Sequence, residues 1–366
     1  MSLHVLLLTA ASFLVGLVMT AALCRIGRRL NAMDSPGGSR RLKQLRDVPN
    51  IGGIAIAWPL IAVIGGTGVA AMVAPEFLMR LIPSLTPWAD RLAATAPTAV
   101  ALACGLLILH VMGLVDDRRN LSAWPRLGVQ VAIAALLASL FDVRLLQQLD
   151  TLGLGITPSV LVTVVWIVVV TNAMNFLDNM DGLTAGVTVI AGGLFMVAAL
   201  ATQQWFVAAT LAVLVGTTAG FLCFNLPPAK IFLGDGGSLV IGLTLAVLTV
   251  RTTYWEPDAG DTAWWGTLMP LAVLAVPLYD IVTVTTLRLV QGKSPLRGDH
   301  QHFSHRLVDR GLSRRRAVFV IWALAALTGA VGLMLPALAP WQAWVGAGQV
   351  VLVWVVLAVL ETGASK

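Results

Sequence analysis

The feature that most constrains this chain is the recurrence of long apolar runs. A segment of about 20 predominantly apolar residues crosses a bilayer as one helix. Eleven such runs can be read, at roughly 4–24, 50–72, 96–115, 126–141, 158–177, 184–201, 205–225, 237–251, 265–290, 316–336 and 342–361. The fourth and eighth are short, and only the turn Thr202–Gln204 parts the sixth from the seventh. Composition agrees: 58% of the 366 residues are hydrophobic and 11% are charged, where a soluble domain of this size carries about 25% charged residues. In lipid every backbone polar group must be satisfied within the protein, and helices do this within one segment. The expected fold is all-α, a polytopic integral membrane bundle of about 10–11 transmembrane helices. It forms a single domain over 1–366, with no repeat and no separate soluble part.

Charge gives the expected orientation. In the first run Arg25, Arg28 and Arg29 follow the apolar stretch, the reverse of a secretory signal. The expectation is an uncleaved first span with its N-terminus outside. Cytoplasmic loops then fall near 25–49, 116–125, 178–183, 226–236 and 291–315. The inner side, counting Arg126 and Arg316 at span ends, holds 18 of the 24 Lys and Arg residues, while Arg80, Arg91, Arg144 and Arg251 lie outside. This follows the positive-inside rule, so the net charge of +6 reports orientation rather than nucleic acid. Trp88, Trp124, Trp205, Trp255, Trp264, Trp265 and Trp341 fall near span ends, where interfacial aromatics belong. Ser35–Ser39 reads as loop. Cys24, Cys104 and Cys223 lie far apart in apolar runs, which gives neither a disulfide framework nor a zinc site.

Four polar segments lie on the inner side, and polarity beside a span is costly enough to invite a functional reading. Gly113–Arg118 carries Asp116 and Asp117. Adjacent carboxylates repel, and a divalent cation relieves this; the competing reading is a solvated loop whose acids pair with Arg118 and Arg119. In 171–186, Asn172, Asn175 and Asp178 recur every three residues, near helical spacing, and Asp181-Gly182 turns the chain. The competing reading gives Asp181 a helix-capping role. In 225–238, prolines end a span, and small residues around Asp235 let backbone N–H groups approach an anion where the next helix begins. An ordinary glycine-rich turn capped by Asp235 or Ser238 is the alternative. The last segment, 292–306, brings His300, His302 and His305 together with Lys293, Arg297 and Arg306, with Arg310 nearby. It suits a phosphate, an anionic lipid surface or, without thiolate or HExxH spacing, less well zinc.

In order and spacing, Gly113–Asp117, Asn172–Gly186, Asn225–Ser238 and Asp299–Leu307 resemble the polyprenyl-phosphate N-acetylhexosamine-1-phosphate transferases, over nearly the whole chain from Asp34 to about Val318. The resemblance implies that undecaprenyl phosphate attacks the β-phosphorus of a UDP-N-acetylhexosamine, most simply UDP-GlcNAc, and that UMP leaves. It implies Mg²⁺, with Mn²⁺ as a substitute. By position Asp235 matches the metal-binding acid, with Asn175 beside it. Asp116 and Asp117 match an acid pair for metal, lipid phosphate or proton removal, and Asp178, His302 and His305 complete the catalytic candidates. Phe232 matches an aromatic that stacks on uracil. Asn172, Asn175, Asp181, Asn225 and Arg306 match substrate-binding positions. Direct in-line attack and a covalent aspartyl-phosphate route both fit.

The same resemblance implies a bacterial inner membrane, a role at the start of a cell-envelope polysaccharide such as O-antigen, teichoic acid or capsule, and a possible homodimer. The alternatives are the phospho-N-acetylmuramoyl-pentapeptide transferase branch and, from another class, a transporter. The chain departs from the family pattern in places. Ser304 stands where a histidine is usual in the basic loop, Asn179 where glycine is common, and Arg126 where a lysine is usual. Lys43 lies nearest the position of a histidine in the first inner loop. Leu307–Ser313 resembles the GlcNAc-type branch.

Overall fold

The computed structural model describes residues 2–30, 32, 48–119, 121–252, 264–294 and 301–362. Ser35–Ser39, Arg40, Arg41, Lys43, Arg46, Trp255, Arg297, Asp299 and His300 lie outside the described residues. The chain folds as helices α1 Ser2–Arg29, α2 Ile54–Val73, α3 Pro75–Leu81, α4 Ala89–Arg119, α5 Ala123–Leu140, α6 Thr157–Leu177, α7 Leu183–Ala201 and α8 Trp205–Asn225. These are followed by α9 Asp235–Arg251, α10 Met269–Val273, α11 Ala275–Val290, α12 Phe303–Asp309, α13 Arg314–Met334 and α14 Pro340–Thr362.

Among the described residues nine helices are long and apolar enough to cross a membrane. Trp265–Val273 and Ala275–Val290 are apolar enough only when taken together, and they meet at a bend of 68°, the shape of a broken span or a re-entrant hairpin. The break is buried, with Ala272 to Leu278 shielded from lipid, as irregular backbone at membrane depth requires. The eighth expected span, 237–251, is α9. Its 17 residues cover about 25 Å at 1.5 Å per residue, short of a hydrocarbon core of about 30 Å.

α9 is the shaft of the bundle. Every residue from Gly236 to Thr249 is buried, and α4 and α6 pack along it, with α2, α7 and α8 also in contact. A helix apolar all round belongs inside. The rim helices differ: α1 and α14 bury only 22% and 17% of their most apolar window, and leucines and valines such as Leu7, Val18, Val345 and Val359 face outward. A second close pairing joins α1 to α8.

The loop bounds shift from the expected ones. The 116–125 loop is shorter than expected: α4 runs on to Arg119, so Asp116 and Asp117 sit in its last turn, and α5 starts at Ala123. Arg118 and Arg119 in that turn complement the negative end of the helix dipole. The 291–315 segment contains the short helix α12. Trp265 stands at the start of the bent helix pair and is buried against Leu335 and Ala343, whereas Trp124 and Trp341 are exposed. Trp88 and Trp205 meet edge to face at 5.6 Å, at the end of the bundle opposite the acids.

Candidate active site

The acids gather where the end of α4 crosses the start of α9. That crossing is a backbone contact: a Cβ on Gly113 would lie 2.4 Å from the Gly236 nitrogen. Gly234 precedes α9 with φ 73°, a left-handed conformation natural to glycine, and a side chain there would meet the Asp117 carboxylate at 2.5 Å. The small residues therefore serve helix contact first. The Gly236 N–H donates to Asp117 Oδ2 at 3.4 Å, so a carboxylate from α4 takes the anion position at the start of α9. Asn50 Nδ2 donates to Asp117 Oδ1 at 2.9 Å.

Asp116 and Asp235 share one cation. The Arg126 guanidinium, from the first turns of α5, donates to Asp116 Oδ2 and, at 3.3 Å, to Asp235 Oδ2. The partner of Asp116 is thus Arg126, not the adjacent Arg118 or Arg119. The Leu121 N–H adds a bond to Asp116 Oδ1 at 2.6 Å. Asn175 Nδ2, near the end of α6, donates to Asp235 Oδ1 at 3.0 Å and to Ser238 Oγ at 2.9 Å. Asn172, one turn earlier, bonds Gln130 of α5 and the Val168 carbonyl. Asp178 caps the end of α6 and is half-buried.

A second group braces the loop between α8 and α9. Asn225 accepts from the Gly182 N–H at 2.9 Å and donates to the Ile231 carbonyl at 2.8 Å, so both ends of its amide hold backbone. Asp181 Oδ2 accepts from the Ala229 N–H at 3.0 Å; Gly182, not Asp181, occupies the N-cap of α7. Phe232 is half-buried, and its backbone is fixed on both sides: its N–H donates to the Pro49 carbonyl at 2.8 Å, and its carbonyl accepts from Gly52 at 2.9 Å.

The third group is the histidine loop. His302 Nδ1 lies 2.9 Å from Asp280 Oδ2. Its ring meets the edge of Phe176 at 5.6 Å and the ring of His305 at 6.4 Å. Arg306 donates to Thr283 Oγ1 at 2.9 Å and to the Gln301 carbonyl. Ser304 is buried and its hydroxyl bonds Asn179 Oδ1. The two departures in this region are therefore partners. Asn179 also caps α6 by donating to the Phe176 carbonyl at 2.7 Å.

Sequence reasoning missed several contributors. Asp280 and Arg288 lie inside the run 265–290, and an ionisable residue within a span was the signal available. Both are buried, and the Arg288 guanidinium stands 5.3 Å from the Phe176 ring centroid. His110, wholly buried on α4, bonds the Gly236 carbonyl at 2.8 Å. Asn50 and Gln130 carried no local signal.

Asp116, Asp117 and Asp235 carry oxygen donors only, the type that suits a hard divalent cation. Among the described residues, no three His, Cys, Asp or Glu side chains are grouped closely enough to hold a metal ion by themselves. Mg²⁺ needs no such group, since it binds through one or two carboxylates with substrate phosphate oxygens and water. The convergence of Asp116 and Asp235 on Arg126 marks a spot built for positive charge, so the residues present fit such an ion.

A model of glycosyl transferase family 4 matches residues 99–253, which include the acid pair, Asn175, Asn225 and Asp235. The chain is similar to the probable undecaprenyl-phosphate N-acetylglucosaminyl 1-phosphate transferase of Bacillus subtilis, at 30% identity over 337 residues, 90% of this chain and 84% of that one. Similarity to the decaprenyl-phosphate N-acetylglucosaminephosphotransferase of Mycolicibacterium smegmatis is 33% over 297 residues, 76% and 69% of the two chains. For the undecaprenyl-phosphate alpha-N-acetylglucosaminyl 1-phosphate transferase of Escherichia coli the identity is 26% over 352 residues, 90% and 84%. With relatives at this identity matched over most of their length, and the acids of separate helices meeting at one end of the bundle, the chain belongs to glycosyl transferase family 4, in its polyprenyl-phosphate N-acetylglucosamine-1-phosphate transferase branch.

Proposed function

We propose that this protein transfers GlcNAc-1-phosphate from UDP-GlcNAc to undecaprenyl phosphate and releases UMP. The observation that carries the proposal is the convergence of Asp116 and Asp235, from segments far apart in sequence, on the Arg126 cation. The relatives' names support this branch over the muramoyl-pentapeptide branch, and they count against a transporter. In this reading the acid-bearing end faces the cytoplasm of a bacterial inner membrane. The product begins a cell-envelope polysaccharide, with O-antigen, teichoic acid and capsule as candidate classes.

Phosphoryl transfer is largely positioning and charge neutralisation. The lipid phosphate, with a second pKa near 6, is mostly dianionic at neutral pH, so its oxygen attacks without a strong base. A bond forms from that oxygen to the β-phosphorus, the bond from the bridging oxygen to the β-phosphorus breaks, and the bridging oxygen leaves on UMP. A bound Mg²⁺ supplies neutralisation of the diphosphate charge. Asp235 and Asp116 are its carboxylates in this proposal, Asn175 orients Asp235, and Asp117, tied to Gly236 and Asn50, faces the lipid phosphate. Phe232 offers its ring to uracil. His302, His305 and Arg306 bind the diphosphate and sugar.

The test is a direct assay. Purified protein is incubated with undecaprenyl phosphate, Mg²⁺ or Mn²⁺, and a panel of UDP-sugars, and UMP is measured. Release from UDP-GlcNAc in the presence of metal is the expected result. Absence of UMP with every donor would sink the enzyme reading, and release only from UDP-MurNAc-pentapeptide would move the chain to the other branch.

A further inference from the structure

We infer that Asp280, an acid buried inside the bent helix pair, is the positioning residue that fixes His302 for catalysis; the inference deepens the proposed function and rests on it. Asp280 lies in the second turn of α11 and is fully buried. An isolated carboxylate at such a depth is costly unless it is hydrogen-bonded or paired. Both of its oxygens are used: Oδ1 accepts the Phe303 N–H at 2.6 Å, and Oδ2 meets His302 Nδ1 at 2.9 Å. One carboxylate therefore holds the start of α12 and the ring of the residue that opens it.

Its neighbours on α11 reinforce the grip. Tyr279 meets the Phe303 ring edge to face at 5.4 Å, and Thr283, one turn further on, takes the Arg306 guanidinium at 2.9 Å. Three α11 side chains thus hold three successive features of the histidine loop. Because a carboxylate only accepts, the His302 proton sits on Nδ1. Nε2 is then the nitrogen presented outward, as when a carboxylate orients a working imidazole.

The His302 ring lies against Phe176, and Phe176 follows Asn175, whose amide holds Asp235. The last turn of α6 therefore carries one contact to each group, and fixing His302 against Phe176 fixes it relative to the acids. A residue that only capped α12 would need no link to the imidazole.

A double-mutant cycle on the full chain separates the two roles. Asp280→Asn keeps the shape, and its kcat for UMP release is expected to fall about 10–100-fold, the usual cost of losing an orienting carboxylate, with the KM for undecaprenyl phosphate within about twofold. The same change made on His302→Gln should cost almost nothing further. A full loss multiplied onto His302→Gln, or a wild-type kcat for Asp280→Asn, would overturn the inference. Should Asp280→Asn fail to fold, Asp280→Glu, which keeps the charge but displaces the carboxylate by one methylene, enters the cycle instead; a kcat loss that persists undiminished on His302→Gln would overturn the inference.

A second readout needs no turnover. The ¹⁵N spectrum of labelled histidines, with His302 assigned by its loss in His302→Gln, should show Nδ1 carrying the proton and should change with Asp280→Asn. A neutral ring protonated at Nε2 in the unaltered protein would overturn the inference on its own. An unaltered protein that releases no UMP, yet shows the Nδ1 proton, would instead overturn the proposed function and leave the clamp standing.

Discussion

At the scale of single residues, Asp235 and Arg126 separate chemistry from stability. Asp235→Asn keeps an oxygen for the Asn175 amide but removes a negative charge. UMP release should drop below detection while the thermal midpoint in detergent stays near that of the parent. Arg126→Gln does the opposite to the charge balance, leaving Asp116 and Asp235 facing each other. Without metal it should lose about 1 kcal/mol of stability, the scale of a partly exposed ion pair, and added Mg²⁺ should raise its melting temperature more than it raises the parent's. Absence of any Mg²⁺-induced shift in either protein in a thermal-shift assay would show that the carboxylates do not bind the ion. Ser304→Ala removes the bond to Asn179 and should cost about 1 kcal/mol, read by the same assay. The acids were legible in the sequence because charge beside an apolar run stands out. Asn50, Gln130 and His110 were not, since each gains its place through a partner 42 or more positions away, at Asp117, Asn172 and Gly236 respectively.

At the scale of helices, the critical join is the crossing of α4 and α9. Gly113→Ala would push a methyl into the Gly236 backbone. Overpacking of this kind costs about 1–3 kcal/mol, and here it also separates Asp117 from the start of α9. A drop in both melting temperature and UMP release is expected, whereas Gly128→Ala, with nothing within 4 Å of the added carbon, should leave UMP release unchanged and raise the melting temperature slightly, since alanine suits a helix interior better than glycine. Ten of the eleven apolar runs appear as helices with ends moved by a few residues. The eleventh, 265–290, is broken near Leu274, between Pro270 and Pro277. Length and apolarity reveal a span, but they do not report a bend. For the same reason the sequence did not reveal that Asp280 faces the histidine loop, or that Asp116 and Asp117 close a helix rather than occupy a loop.

At the scale of the whole molecule, the described helix ends put Asp116, Asn175, Asn225 and Asp235 at one end and the Trp88–Trp205 pair at the other. Which end meets the cytoplasm is testable with single cysteines in a variant freed of Cys24, Cys104 and Cys223. In intact cells a membrane-impermeant maleimide should label Thr86→Cys and spare Ser122→Cys; the reverse pattern would invert the proposed orientation. The enclosed shaft has a consequence for biogenesis. α9 has little contact left for lipid, and its two main flanking helices, α4 and α6, precede it in the chain. Its berth is therefore already half built when the ribosome delivers it, while α13 and α14 are still to come. A nascent chain stalled before Asp235 is expected to leave the apolar faces of α4 and α6 that receive α9 uncovered within the membrane.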